Sequence, residues 1–263
     1  MSGRLELYHW EPNTYFLKPL IALAEKGADF DSHWFDPTRL EQFAPDFPRN
    51  TESDLQPERE GPVLVHGDTV ISSSFFMLEY IEEVLPGTPL RAGDAFTHYR
   101  ARASAQFLGA LGADVSLLGC MQYLVPVVKS QDSNALRVRL EAIEPLERRN
   151  NWLALLDGAY DEGVCAKTRQ RVQFPLGRLE RTLGSSPWLA GSEYSLADID
   201  AFALLRPLPT LVPDLVNESR TPRIVEFLSR MHERRAVQQA LAASRSGKPH
   251  EAFVPGAEPS RWG

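Results

Sequence analysis

Three polar residues that could do chemistry stand where a predicted strand meets a predicted helix. Asn13, Thr14 and Tyr15 follow "RLELYHW" and precede "LKPLIALAEKG". A turn here would bring their side chains beside the first free backbone N–H groups of the helix, where small polar groups often serve a ligand. An amide or hydroxyl in this position can donate a hydrogen bond to an anion. The next residue, Phe16, has no group that could activate anything.

A second set of candidates lies further along the first third of the chain. Gly61-Pro62 precedes an apolar run, and an X-Pro bond before a strand can be cis and expose backbone groups to a ligand. Ser72, Ser73 and Ser74 precede the helical pattern of "FFMLEYIEEVLP". These hydroxyls either donate to an anion favoured by the helix N-terminus or simply cap the helix.

Several classes of site lack their sequence signals. The six histidines show no metal-ligand spacing, so we expect no metal site. The chain contains no G-x-S-x-G, P-loop or G-x-G-x-x-G motif, which argues against hydrolases, phosphate-loop proteins and dinucleotide-binding proteins. Cys120 and Cys165 are too few for a disulfide framework.

The charge balance and hydropathy limit the partners. With 28 Lys and Arg against 35 Asp and Glu, the net charge is −7, and no basic stripe favours nucleic acid. We find no secretory signal pattern and no apolar run near the about 18 residues that indicate a membrane span. We therefore expect a cytoplasmic protein that binds neither nucleic acid nor membrane.

The elements that must position the candidates change character along the chain. The first third alternates strand and helix periods in the order β, α, β, irregular, β, β, α, with a hairpin at His66-Gly67-Asp68. Strand signals stop after the Pro- and Gly-rich "LPGTPLRAGDAF". We predict an α/β domain over 1–86, a linker over 87–94, an all-α domain over 95–245 and a tail over 246–263.

The clearest helix start in the second domain is "YSLADIDAFALL". Ser195 as N-cap with Asp198 three residues later predicts a capping box. The final "SGKPHEAFVPGAEPSRWG" is polar and rich in Pro and Gly, so it predicts a loose tail or an arm on the surface.

These features together resemble the cytosolic glutathione S-transferases, above all in "PWLAGSEYSLADIDAF", over roughly residues 4–240. The segments "LKPLIALAEKGADF", "FDPTRLEQF" and "MLEYIEEVLP" are similar to the bacterial β-etherases of that family, which use glutathione to cleave β-aryl ether bonds in lignin-derived aromatics. The resemblance implies a thioredoxin-like N-terminal domain, a helical C-terminal domain, a dimer, a glutathione site in the first domain and an aromatic-substrate pocket between the two.

The site residues that the resemblance implies are only partly present. The Asn-Ser pair that relatives place before "LKPL" reads Tyr15-Phe16, so Asn13, Thr14 or Tyr15 would have to stabilise the glutathione thiolate. The backbone of Gly61 before Pro62 can still pair with the cysteinyl part of glutathione.

The subsite for the γ-glutamyl group and the loop before Gly61 also depart from the family pattern. The acid-Ser pair of the family corresponds to Ser73-Ser74, which lacks the carboxylate. Its absence removes a charge-assisted bond that typically contributes about 1.5–3 kcal/mol. The segment "RNTESDLQPERE" lacks the usual "NP-x-G-x-V-P" run.

Three functions follow as alternatives. The first is a β-etherase-like subunit with a degenerate site of its own, active as a heterodimer with a catalytic partner chain of the same family. The second is an autonomous glutathione transferase, a homodimer, that uses Asn13, Thr14 or Tyr15. The third is a scaffold or binding protein that keeps the fold without catalysis.

Overall fold

The computed structural model describes residues 3–48, 61–91, 93–143 and 146–255. The segment "RNTESDLQPERE" and the end of the predicted tail, from residue 256, lie outside the described residues. The protein has the predicted architecture, a small sheet domain followed by a helical domain.

The first domain contains a four-stranded sheet in the order β2-β1-β3-β4. Its strands are β1 (Leu5–His9), β2 (Asp31–Trp34), β3 (Val63–His66) and β4 (Thr69–Ser72), and its helices are α1 (Thr14–Lys26) and α2 (Ser74–Val84). Strand β1 pairs parallel to β2 and antiparallel to β3, and β3 pairs antiparallel to β4. The predicted order and the hairpin between β3 and β4 are confirmed.

Helix α1 connects two parallel strands, and a parallel pair requires such a crossover. Leu5 and Leu7 of β1 are buried, as their alternation predicts, and Leu17 and Ile21 of α1 cover this face of the sheet's core. The helix ends at Gly27, whose φ of 63° is the left-handed conformation that glycine adopts readily. The crossover places the β1–α1 junction directly after His9, the last residue of β1.

The second domain is entirely helical in its described part. Its helices are α3 (Ala95–Gly119), α4 (Val125–Lys129), α5 (Ser133–Glu141), α6 (Leu146–Leu156), α7 (Glu162–Ser185), α8 (Leu196–Leu205), α9 (Leu208–Leu211), α10 (Pro222–His232) and α11 (Arg235–Leu241). One π-helical turn, Cys120–Leu124, separates α3 from α4. Helix α8 is buried along its whole length, so it forms the centre of the domain.

The predicted capping box at the start of α8 is confirmed. The Asp198 carboxylate accepts hydrogen bonds from the backbone N–H of Ser195 and of Leu189, both at 2.9 Å, and from the Ser195 hydroxyl at 3.1 Å. Burial raises the pKa of Asp198 to about 7, and these hydrogen bonds partly oppose the rise. The box fixes the segment before α8 to the helix itself.

One continuous helical stretch, Ala95–Lys129, is long and apolar enough to cross a membrane by length and composition alone. Half of its most apolar window is buried inside the protein. A buried core helix meets the same criterion, so this stretch is weak evidence for a membrane span.

Candidate functional site

The β1–α1 junction is a tight turn that ends at Asn13, the N-cap of α1. The Asn13 backbone is extended, and its N–H donates to the carbonyl of Glu11 at 2.7 Å. Thr14, the first helical residue, has a φ of 42°, which is uncommon for a residue other than glycine. Such backbone conformations cluster at functional sites, and here one lies beside the predicted thiolate site.

The side chain of Asn13 is fully buried, and both the nitrogen and the oxygen of its amide are hydrogen-bonded. Its Nδ2 donates to the carbonyl oxygen of Ala252 at 3.0 Å, and its Oδ1 accepts from Nη1 of Arg206 at 3.3 Å. Burial lowers the pKa of Arg206. The amide that the sequence offers as a thiolate donor therefore ties α1 to the helical domain and to the end of the chain.

Tyr15 is directed toward the helical domain. A Cβ placed on Gly112 of α3 would lie 2.4 Å from the Tyr15 hydroxyl oxygen, so the phenol reaches the bare backbone of that helix. The Lys18 ammonium lies 4.8 Å from the centre of the Tyr15 ring. Tyr15 thus packs between the two domains, and its chemical role stays a prediction.

Phe16 belongs to an aromatic cluster beneath the junction. It meets Trp10 edge to face at 6.0 Å and Phe35 at 5.9 Å, and Phe35 meets Phe47 at 4.9 Å between ring centres. These rings are buried and share one apolar cluster with Ala252 from the far end of the chain. The residue at the predicted activator position therefore contributes packing.

The Gly61-Pro62 bond is cis, and Gly61 lies against the same cluster. A Cβ on Gly61 would lie 2.3 Å from Cζ of Phe35 and 2.8 Å from Cε1 of Phe16. Only glycine leaves room for these two rings beside the backbone.

The start of α2 keeps features of an anion site. Ser73 has a φ of 72°, and its side chain makes no N-cap hydrogen bond, so simple capping by Ser73 is not observed. Ser74 is fully buried, and its Oγ has no hydrogen-bond partner among the residues that the structure describes. A buried hydroxyl in this state requires an explanation, and a ligand group at the helix N-terminus would provide one.

A buried ion pair lies one turn into α1. Nζ of Lys18 is 2.5 Å from Oδ1 of Asp200 in α8, and the two side chains are 5% and 6% exposed. Buried charges persist only when they are paired, so this contact fixes how the two domains meet. Sequence reasoning missed the pair because nothing in a single chain segment indicates that Lys18 is buried.

The last described residues, 244–255, form a segment that we call the C-terminal strap. Glu11 anchors it by accepting hydrogen bonds from the Ser244 hydroxyl at 2.5 Å and from the backbone N–H groups of Arg245 and Ser246, both at 3.0 Å. Burial alone would raise the pKa of Glu11, but these hydrogen bonds outweigh burial and leave that pKa lowered. The carboxylate is therefore held in its charged form.

The strap crosses from one domain to the other. The Arg245 guanidinium lies 5.0 Å from the centre of the Trp34 ring, whereas Phe253, 2% exposed, packs against the helical domain. Of the two predicted forms of the tail, an arm on the protein is observed for 246–255. Residues 246–248 of this arm are exposed, whereas Ala252, Phe253 and Pro255 are buried. The sequence signal for this burial is an apolar triplet, Ala252, Phe253 and Val254, inside an otherwise polar tail.

The two ends of the predicted glutathione site offer different groups. At the predicted γ-glutamyl end lie the buried Ser74 hydroxyl and the N-terminus of α2, and the Gly61 backbone precedes the cis proline. At the predicted thiol end, Asn13 is buried with its amide already bonded, and Phe16 is apolar. In the described part of the chain, no group of three His, Cys, Asp or Glu side chains is placed to hold a metal ion.

Comparison with protein families agrees with this architecture. Residues 3–83 match the glutathione S-transferase N-terminal domain, and residues 120–235 match the glutathione S-transferase C-terminal domain. The two matches contain the strand-helix domain with both candidate subsites and most of the helical domain.

The chain is similar to several characterised proteins over nearly its whole length. It is 28% identical to Protein LigF of Sphingobium sp. strain SYK-6 over 92% of this chain and 94% of LigF. The crystal structure of β-etherase LigF superposes with a TM-score of 0.83 at 27% identity, covering 91% of this chain and 99% of that one.

A second relative acts in a different reaction. The tetrachloro-p-hydroquinone reductive dehalogenase of Sphingobium chlorophenolicum is 25% identical over 90% of this chain and 95% of its own length. Fold, site geometry and both domain matches lead to one conclusion: the chain belongs to the glutathione S-transferase family.

Proposed function

We propose that this chain is a subunit of a glutathione-dependent β-etherase that cleaves β-aryl ether bonds in lignin-derived aromatics, and that a related chain supplies the catalytic site. The similarity to LigF over nearly the whole chain supports the reaction class. The contacts at the β1–α1 junction support the division of roles. Cytoplasmic location stays a prediction.

The observation that carries the proposal is the state of Asn13. Its exposed fraction is 0%, and both ends of its amide are bonded within the chain. Lowering the pKa of a thiol by about two units requires roughly 2.7 kcal/mol of thiolate stabilisation. An amide already bonded to Ala252 and Arg206 does not supply it, and Phe16 has no donor.

The partner chain would therefore activate the thiol. In the reaction, the glutathione sulfur bonds to the carbon that bears the aryl ether, the carbon–oxygen bond breaks, and the phenolate leaves and takes up a proton. This chain would contribute interdomain packing, a dimer surface and a wall of the aromatic pocket. Its own peptide subsite at Ser74 and Gly61 would bind glutathione weakly.

An exposed aromatic pair supports the proposal of a surface for that partner. Phe96 and Tyr99 at the start of α3 are 66% and 65% exposed and stack at 6.2 Å between ring centres. Phe75 and Phe76 of α2, both half-buried, form a second pair at 5.6 Å between ring centres. Large exposed aromatic side chains that lie close together are typical of interaction sites.

One observation favours the autonomous alternative. Thr14 is held at a φ of 42° at the helix start, a conformation that active sites often keep. If Thr14 activates glutathione, the lone chain turns over an ether substrate and a Thr14→Ala variant loses that turnover.

Co-expression tests the proposal. The chain is expressed alone and together with a LigF-like transferase from the same genome, and oligomeric state, glutathione binding and cleavage of a diaromatic β-aryl ether are measured. We expect an inactive lone chain and an active mixed dimer. Full activity of the lone chain would contradict the proposal. Activity of the related transferase that does not change when this chain is removed would also contradict it.

A further inference from the structure

Phe253 fills a slot whose walls are shaped for a flat ring. Its ring lies parallel to that of Tyr123, with 6.0 Å between centres and 3° between planes. On another side, a Cβ on Gly119 would lie 2.2 Å from Cδ1 of Phe253. The slot, formed by Gly119 and Tyr123, exists because one wall is an aromatic ring and the other has no side chain.

The slot is formed by an irregular turn of the helical domain. Tyr123 belongs to the π-helical turn Cys120–Leu124, which interrupts the long helix from Ala95 to Lys129. Single π-helical turns are rare and occur frequently at functional sites. His250 of the strap packs edge to face on the same Tyr123 ring at 6.3 Å.

Phe253, which fills the slot, belongs to the C-terminal strap, a segment with little regular secondary structure. Apart from the short 3₁₀ turn Pro249–Glu251, the strap from residue 244 contains no helix or strand. Its polar anchors are Glu11 and Asn13, both at the β1–α1 junction. Release of the strap therefore breaks no sheet ladder and no long helix.

We propose that the slot of Gly119 and Tyr123 binds an aromatic ring of a small phenolic ligand, and that Phe253 is its built-in occupant, which the strap must withdraw before a ligand ring enters. The inference rests on the proposed function only for the ligand class, since the aromatic ends of a β-aryl ether are such rings. It adds that the chain's own aromatic site is closed by its own C-terminal segment.

The test uses the full chain and two variants that release the strap in different ways. Phe253→Ala empties the slot, and Glu11→Ala removes the anchor of Ser244, Arg245 and Ser246. The matched control is Lys248→Ala, which changes an exposed strap residue whose ammonium pairs with Glu251 at 3.2 Å. Two readouts are used: fluorescence of anilinonaphthalenesulfonate displaced by guaiacol, and the rate of trypsin cleavage after Arg245.

We expect Phe253→Ala to bind guaiacol about tenfold more tightly than the wild type, and Glu11→Ala to be cut after Arg245 about tenfold faster. Lys248→Ala should match the wild type in both readouts. A Phe253→Leu variant keeps apolar bulk without the flat ring and should bind guaiacol with intermediate affinity, which guards against a folding defect in the alanine variant.

Equal guaiacol affinity in the wild type, Phe253→Ala and Phe253→Leu would overturn the proposal, as would equal cleavage rates in the wild type and Glu11→Ala. Neither readout uses ether cleavage or a partner chain. A negative result for the slot therefore does not contradict the proposed function. An inactive mixed dimer likewise does not contradict the proposed slot.

Discussion

The Asn13 carboxamide donates a hydrogen bond to the Ala252 carbonyl, although the two residues are 239 positions apart in the chain. This contact joins the start of α1 to the strap at the place where a thiolate donor is expected. It gives a candidate catalytic group a structural contact between the two ends of the described chain.

Replacement of Asn13 should therefore change stability more than activity. Asn13→Ala leaves the Ala252 carbonyl and the Arg206 guanidinium without this partner, and an unsatisfied buried group costs about 1–3 kcal/mol. Urea unfolding of wild type and variant measures this loss. Ether cleavage by the mixed dimer should change less than about twofold. A large loss of cleavage with unchanged stability would mean that Asn13 is catalytic.

The buried pair Lys18 and Asp200 should behave as a unit. Lys18→Met alone leaves a buried carboxylate uncompensated and should lower the free energy of unfolding by about 3–5 kcal/mol. Adding Asp200→Leu should restore most of this loss. The exposed pair Arg223 and Glu226 is the control, because breaking it by Arg223→Met should cost less than about 1 kcal/mol. Additive effects of Lys18→Met and Asp200→Leu would show that the pair is not coupled.

The overall architecture could be predicted from the sequence because it depends on local patterns. The alternation of Leu5 and Leu7, the turn at Gly67 and the capping box of Ser195 and Asp198 each reflect forces between near neighbours in the chain. These signals place the elements in the correct order.

The contacts that decide the candidate site could not be predicted in the same way. The bond from Asn13 to Ala252, the direction of Tyr15 toward Gly112 and the slot for Phe253 join distant parts of the chain. No local periodicity records such contacts. The sequence shows that Asn13 and Tyr15 carry polar groups at the helix start. It does not show which distant residues those side chains contact.

His9, the last residue of β1, should make stability depend on pH. Its Nδ1 donates to the Trp10 carbonyl at 2.8 Å, and its Nε2 accepts from the Ser32 hydroxyl at 2.7 Å, which is the pattern of a neutral ring. Burial lowers the pKa of His9 in the folded protein, so near its ordinary pKa of 6.5 the unfolded chain binds more protons. The free energy of unfolding should therefore decrease as the pH falls below 6.5 toward the lower pKa of His9 in the folded protein.

The contribution of His9 is isolated by comparison with His9→Asn, which does not titrate. The difference between the two unfolding free energies should change with pH by at most about 1.4 kcal/mol per unit, in favour of the wild type as the pH rises. Denaturant titrations across the range from acid to neutral pH measure it. A difference that does not vary with pH would show that the His9 pKa is the same in the folded and unfolded states.

The aromatic pair on α3 should control assembly. Phe96→Glu combined with Tyr99→Glu places two charges where apolar rings are 66% and 65% exposed, and buried unpaired charges at an interface are costly. Sedimentation of the mixed dimer should show at least about tenfold weaker association. Phe174→Glu is the matched control, since Phe174 is 71% exposed on a different helix, α7. Equal weakening by the control would place the interface elsewhere.

Under the proposed function, this chain does not activate glutathione by itself. The most direct test is the ultraviolet absorbance of the glutathione thiolate, recorded against pH with the lone chain in excess. We expect the bound thiol to ionise near the ordinary thiol pKa of about 8.5. A thiolate fully formed at neutral pH on the lone chain would contradict the proposed function and assign activation to Asn13, Thr14 or Tyr15 of this chain.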